Sequence, residues 1–242
     1  MSDISINFDK AKEAAAKEAL TFIRSNMVIG LGTGSTAKIF IDLLGEKLGD
    51  DFQITGMPTS IETEKQATNL GIKLIGIEDK DTLDIAIDGA DEVSPEKNLI
   101  KGLGGALLRE KLVEKKATKL VIIVDESKMV DCLGTGVLPV EVEKNNHQQT
   151  AKNIETAGCS AELRKNSDGE IFETDNKNFI YHCKFRDKIK NPEQTEVKLM
   201  SISGVVDTGL FLNMADVVIV GKEIETKIIQ QSLTTLFFGF RS

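Results

Sequence analysis

Residues 27–48 read MVIGLGTGSTAKIFIDLLGEKL. The apolar start at Met27, Val28 and Ile29 predicts a short buried strand, and the glycine-rich turn after it leads into Phe40, Leu43, Leu44 and Leu48 at helical spacing. Strand, glycine turn and helix in succession are the opening unit of an α/β sandwich. Upstream, the Ala- and Lys/Glu-rich segment from Asp9 to Arg24 reads as an amphipathic helix. Downstream, FQITG at 52–56 predicts a strand and SIETEKQATNLG a helix closed by Gly71. IKLIGI and LDIAID are further strands, and ALLREKLVEKKA another helix. The nearly uniform apolar run KLVIIVD at 119–125 is the texture of a strand covered on both faces of a parallel sheet.

From about Val137 the strands become shorter and more polar: VLPVEVE, AELRK, EIFETD and NFIYHCKF, with the helix-like QQTAKNIETAG and the turn Ser167-Asp168-Gly169 among them. The buried-strand texture returns in MADVVIVG at 214–221. The chain therefore reads as an α/β protein, a Rossmann-like, mostly parallel sheet flanked by helices with a smaller α+β domain inserted. The expected boundaries are 1–132 and 207–242 for the large domain and 133–206 for the small one. Periodicity does not assign the phenylalanine-rich segment QQSLTTLFFGFRS at 230–242.

With 242 residues, 40% hydrophobic, the chain can bury a substantial core. A net charge of −8 argues against a general nucleic-acid or membrane-surface binder, which needs a basic face. No apolar run reaches signal-peptide or membrane-span length, and three cysteines without a CxxC pair suit a reducing compartment, so the expected address is cytoplasmic. With only His147 and His182 beside those cysteines, no metal site is expected.

The chemistry is expected at three places. Thr33, Gly34, Ser35 and Thr36 lie between a strand and a helix, where backbone N–H groups and the positive helix end can hold an anion. Ser35 stands where a dinucleotide fingerprint wants glycine, and no Gly-Lys-Ser/Thr follows, so a phosphate cradle fits better than either of those motifs; the alternative is a tight turn with Ser or Thr as N-cap. IAIDGADEV at 85–93 ends an apolar strand in three carboxylates within five residues, a concentration that calls for solvent, a cation or a reaction, or else an ordinary Asx turn. Lys101-Gly102-Leu103-Gly104-Gly105 is a second flexible turn with a cation at its mouth, directly before the helix bearing Glu110, and Lys128 stands at another strand end. Taken singly, Glu110 and Lys128 are also what solvated helix and surface residues look like.

Together, GLGTGST, DGADEV, KGLGGALLREK, DESK and GVVDTGLF, in this order from about residue 10 to 229, resemble the ribose-5-phosphate isomerase family of the A type. The resemblance implies reversible aldose–ketose isomerisation of D-ribose 5-phosphate and D-ribulose 5-phosphate in the non-oxidative pentose phosphate pathway. It implies no cofactor, no metal, and assembly as a homo-oligomer, with a homodimer expected. It implies substrate binding by Thr33, Gly34, Ser35 and Thr36, by Asp88, Gly89, Ala90 and Asp91, by Lys101, Gly102, Leu103 and Gly104, and by Lys128, with Glu110 as catalytic base. Leu103 departs from the family's usual glycine, so a slightly altered turn with retained chemistry is expected, and the segment beyond about Gln230 overruns the family's usual end.

Moving a proton from C2 to C1 through an enediolate needs a base near both carbons and a partner for the developing oxyanion. A glutamate at about 4.3 is pushed toward the operating pH by partial desolvation and by neighbouring carboxylates. On that logic Glu110 is the base, Lys101 steadies the enediolate oxygen, Asp88 opens the furanose ring, Asp91 orients hydroxyls, and Lys128 helps hold the phosphate. A sugar-phosphate sensor without turnover, and acyl or CoA transfer with Glu110 as nucleophile, are the rival readings. The acidic balance and the lack of a basic helix-turn-helix segment disfavour the sensor.

Overall fold

The computed structural model describes residues 8–223 and 225–230, so the expectation for the segment 231–242 lies outside the described residues. A seven-stranded sheet forms the centre, built from β1 (Val28–Leu31), β2 (Thr55–Pro58), β3 (Lys73–Leu74), β4 (Ile85–Asp88), β7 (Leu120–Asp125), β13 (Val217–Gly221) and β14 (Thr226–Gln230). Its order is β14-β13-β7-β4-β1-β2-β3, and every pairing is parallel except β13 with β14.

Alternate residues of the central strands serve opposite faces, which is why β4 and β7 are apolar up to their terminal Asp88 and Asp125. Ile85, Ile87, Val121 and Ile123 join Ile29 and Leu31 against α1 (Phe8–Ala19) and α2 (Ser35–Glu46), through Ala15, Ala19, Phe40 and Leu44. Ala86, Leu120, Ile122 and Val124 face the other way, with Val93, Leu99 and Phe211. Those three come from β5 (Glu92–Val93), β6 (Leu99–Ile100) and β12 (Leu210–Phe211), which form a separate antiparallel sheet. Fully burying one such side chain is worth roughly 1.5–3 kcal/mol.

The four-stranded antiparallel sheet is ordered β11-β8-β10-β9, from β8 (Leu138–Val142), β9 (Cys159–Leu163), β10 (Phe179–Phe185) and β11 (Val205–Thr208). It packs its own cluster, including Val140, Tyr181 and Cys183, against α5 (His147–Glu155) and α6 (Pro192–Met200). The remaining helices are α3 (Ile61–Asn69) and α4 (Leu107–Glu114).

Several expected elements differ. EIFETD forms no strand, only the isolated bridges Lys165↔Ile171 and Glu173↔Phe179. Its neighbourhood is committed to side-chain anchoring instead: Thr174 Oγ1 and Asn178 Nδ2 donate to the buried Glu141 carboxylate at 3.0 and 2.9 Å. FQITG shifts forward to Thr55–Pro58, and IKLIGI shrinks to Lys73–Leu74 at the sheet edge. Helix α6 carries a clear start signal, Asn191 capping Gln194 N–H with Pro192 at the first position, which the strand-centred reading passed over.

Candidate active site

Chain order reverses at β1, which has β2 on one side and β4 on the other, so the carboxyl ends of β1 and β4 open a crevice at the switch point. A cavity there is lined by Thr33, Gly34, Ser35, Thr36, Gly89, Ala90, Asp91, Lys101, Gly102, Gly104, Glu110 and Lys128. A larger cleft at the amino ends of β1–β3 is lined by residues such as Asn26, Phe52 and Lys73, without a single carboxylate.

The β1–α2 turn is bound tightly to β4. A Cβ at Gly32 would lie 2.2 Å from Asp88 Oδ1 and 2.6 Å from Asp88 Cα, so only glycine lets the two strand ends meet. Gly34, at φ 103°, is the N-cap of α2. This overturns the reading of Ser or Thr as cap, and leaves the first-turn N–H groups of α2 directed at the cavity without intrahelical partners. Ser35 is exposed there, whereas Thr36 is buried. Thr33, expected among the substrate-binding residues, commits its hydroxyl to a cluster with Thr59, Ser60 and Thr63 at 2.7, 2.9 and 3.2 Å, which leaves its backbone on the cavity wall.

Asp88 is 1% exposed. Its Oδ1 accepts the Thr33 and Gly89 N–H groups at 3.0 and 2.6 Å, and its Oδ2 lies 3.1 Å from Lys101 Nζ. It therefore sits behind the cavity wall. Asp91 is on the wall, half-buried, with Oδ2 accepting the Leu103 N–H at 2.9 Å. Burial raises its pKa, opposed by that N–H and by Lys101 and Lys128. The Leu103 side chain is exposed and outside the wall, so the departure from glycine leaves its backbone contact intact.

Lys101, 2% exposed, donates to the Gly89 carbonyl at 2.6 Å and is ringed by three carboxyls: Asp88 at 3.1 Å, Glu114 at 3.2 Å and Glu110 at 3.6 Å. Burial alone would strip its proton, but the three carboxyls outweigh that and hold it charged. The Phe211 ring centroid lies 5.4 Å from its Nζ. Glu110 comes from the first turn of α4 and is 3% exposed. Burial pushes its pKa up to about 8, Lys101 opposing and Asp88 and Asp91 adding to the rise. A carboxyl at the edge of a cavity with that affinity is suited to take and return a proton near neutral pH. Lys128 reaches the wall from the 3-10 turn Glu126–Lys128 that follows β7.

Sequence reading brought together every residue on this wall but missed Glu114, whose signal was its position one helical turn after Glu110 on the same face. It also missed Arg164, stacked 3.8 Å above the Phe172 ring and electrostatically coupled to Asp91.

Residues 55–225 match the family described as ribose 5-phosphate isomerase A (phosphoriboisomerase A). Ribose-5-phosphate isomerase A of Bacillus mycoides is 48% identical over 210 residues, which are 87% of this chain and 95% of that protein. Among solved structures, a D-ribose-5-phosphate isomerase in complex with phospho-erythronic acid superposes with a TM-score of 0.88 at 41% identity, covering 93% of this chain and 100% of that one. Ribose 5-phosphate isomerase from Plasmodium falciparum gives 0.87 at 38% identity, covering 92% and 99%.

Proposed function

This chain belongs to the ribose 5-phosphate isomerase A family, and from that premise we propose that it interconverts D-ribose 5-phosphate and D-ribulose 5-phosphate with Glu110 as the base that carries a proton between C2 and C1. It is an aldose–ketose isomerase, an intramolecular oxidoreductase. The observation that carries the assignment of the base is Glu110 itself: a buried carboxyl pushed up to about 8, on the wall of the cavity that also holds the start of α2.

The division of labour follows from position. The phosphate sits at the start of α2, on first-turn N–H groups and the Ser35 hydroxyl, with Lys128 across the cavity. Binding that remote group fixes the sugar carbons against Glu110, so the affinity is used for orientation. As Glu110 removes the C2 proton, negative charge grows on the sugar oxygen, and Lys101 is the cation within the wall that meets it. Glu110 then returns the proton to C1.

Ring opening needs a group that exchanges a proton with the ring oxygen. Asp91 is on the wall with a raised pKa, whereas both Asp88 oxygens face protein donors behind it. We therefore give proton exchange to Asp91 and give Asp88 the task of holding Lys101 and the Thr33 turn, which reverses the order read from sequence.

The same reading carries a homodimer, a cytoplasmic address, a place in the non-oxidative pentose phosphate pathway, and a division into 1–132 with 207–242 and 133–206. Supporting the division is the apolar cluster of the four-stranded sheet, drawn mostly from residues 133–206, although Ile100 and Leu210 of the large domain join it. The test of the activity is an assay with ribose 5-phosphate in deuterated water on chelator-treated protein without added cofactor. Ketose carrying solvent deuterium at C1 is the expected product; absence of ketose, or dependence on added metal or nicotinamide, overturns the assignment.

A further inference from the structure

Three carboxyls and one ammonium form a buried cluster that reaches from the cavity wall, at Glu110 and Lys101, to the space behind it. Asp88, Glu110 and Glu114 are 1%, 3% and 3% exposed, and Lys101 is their common cation. All four ionised would leave two uncompensated negative charges among groups that are almost wholly buried, a state buried groups avoid by taking up protons. Asp88 is the natural anion, because two backbone N–H groups and Lys101 converge on it. Glu114 is the opposite case. Both its oxygens are buried without a hydrogen bond, Lys101 lying 3.2 Å from Oε1 as an ion pair shared with Asp88 and Glu110. Asp88 Oδ2 is likewise buried without a hydrogen bond. Four buried oxygens of the cluster lack a hydrogen bond, both of Glu114's, Asp88 Oδ2 and Glu110 Oε2, and a single proton between Glu114 and Asp88 Oδ2 satisfies two of them together.

We propose that Glu114 is a positioning residue for the isomerisation: as a neutral carboxylic acid it donates its proton to Asp88 Oδ2, fixing Asp88 and through it Lys101 beneath the reacting carbons. This deepens the reading of Glu110 as base and rests on it for its consequence in catalysis. Burial drives the Glu114 pKa well above the carboxylate range; Lys101 opposes, and Asp88 and Glu110 add to the rise, Asp88 as hydrogen-bond partner too. The groups facing Glu114 are Glu110 on its own helix, Asp88 on β4 and Lys101 after β6. The other charges against α4 are engaged elsewhere: Asp207 on β11 and Glu196 on α6 with Lys111, and Glu141 on β8 with Thr174 and Asn178. A charged Glu114 one turn from Glu110 would hold the base protonated to still higher pH, so its neutrality keeps Glu110 usable.

The test has a spectroscopic and a kinetic arm. The infrared difference between wild type and Glu114→Gln in deuterated water, without substrate at neutral pH, is expected to show loss of a carboxylic-acid carbonyl band, and the same band is expected to persist in Glu110→Gln. This arm does not depend on Glu110 being the base. In the kinetic arm, Glu114→Gln, which mimics the neutral acid, should keep kcat within about threefold and leave the acid limb of kcat/KM in place. Glu114→Met, which cannot donate, should lower kcat about tenfold, the worth of one buried hydrogen bond to a charged group. Absence of a carboxylic-acid band lost in Glu114→Gln, or an acid limb displaced downward by about one pH unit in that variant, would mean a charged Glu114 and overturn the proposal.

Discussion

The Thr33 backbone N–H donates to Asp88 Oδ1 at 3.0 Å, so the turn proposed to hold phosphate and the aspartate that holds Lys101 form one rigid piece. The piece depends on Gly32, beside which Asp88 leaves no room for a Cβ. Gly32→Ala forces the ends of β1 and β4 apart. The expected result is a loss of about 1–3 kcal/mol of stability, the usual cost of overpacking, together with loss of turnover. Denaturant unfolding and the isomerase assay check both; a variant as stable and active as wild type contradicts the packing argument.

Removing the Ser35 and Thr36 hydroxyls together leaves the base and Lys101 in place. Affinity for inorganic phosphate as a competitive inhibitor should fall about tenfold, the worth of a hydrogen bond to a charged group, with a smaller change in kcat. An unchanged inhibition constant removes this turn as the phosphate anchor.

Lys101→Met strands Asp88, Glu110 and Glu114 without a cation. Breaking a buried charge cluster by deleting one partner costs about 3–5 kcal/mol, so the variant should unfold at lower denaturant and lose turnover by orders of magnitude. Acid should partly restore its stability, because the stranded carboxyls then protonate. Equal stability at pH 5 and 8 would contradict this account of the cluster.

Glu110 acts deprotonated, so kcat/KM of the free enzyme should climb with pH and level off above about 8. The same group makes a stability prediction of opposite sense. Its folded pKa is raised above the ordinary 4.5, so its contribution to folding is complete below 4.5 and is lost as pH rises toward about 8. Glu110→Gln does not titrate. Its melting temperature should therefore gain on that of wild type between about pH 5 and 8, and hold a constant lead above. A lead that shrinks over that window contradicts the burial-raised pKa.

The sequence carried the large sheet because β4 and β7 are buried on both faces and so are apolar up to their terminal aspartates, a texture that needs no partner to be recognised. It carried most wall residues because glycine turns and strand-end charges are local signals, whereas Glu110, on a helix, was singled out by the family resemblance. The two-residue strands β5, β6 and β12 were not legible, since each is too short to show a period and the β6 partner of β12 lies more than a hundred positions upstream. Nor was the reach of the Thr33 hydroxyl, which points at Thr59 and Ser60 in the turn after β2 and at Thr63 in the first turn of α3. Glu114 was hidden for a different reason: in LLREKLVE a glutamate looks solvated, and only the fold places it against Lys101.

The central claim is that Glu110 moves the proton, and the measurement closest to it is solvent-deuterium exchange into bound ribose 5-phosphate by Glu110→Gln, with substrate affinity determined on the same sample. Affinity within a few-fold of wild type and exchange slower by about 10²–10⁴, the range for loss of a general base, is the predicted result. Exchange at the wild-type rate with intact binding would contradict it.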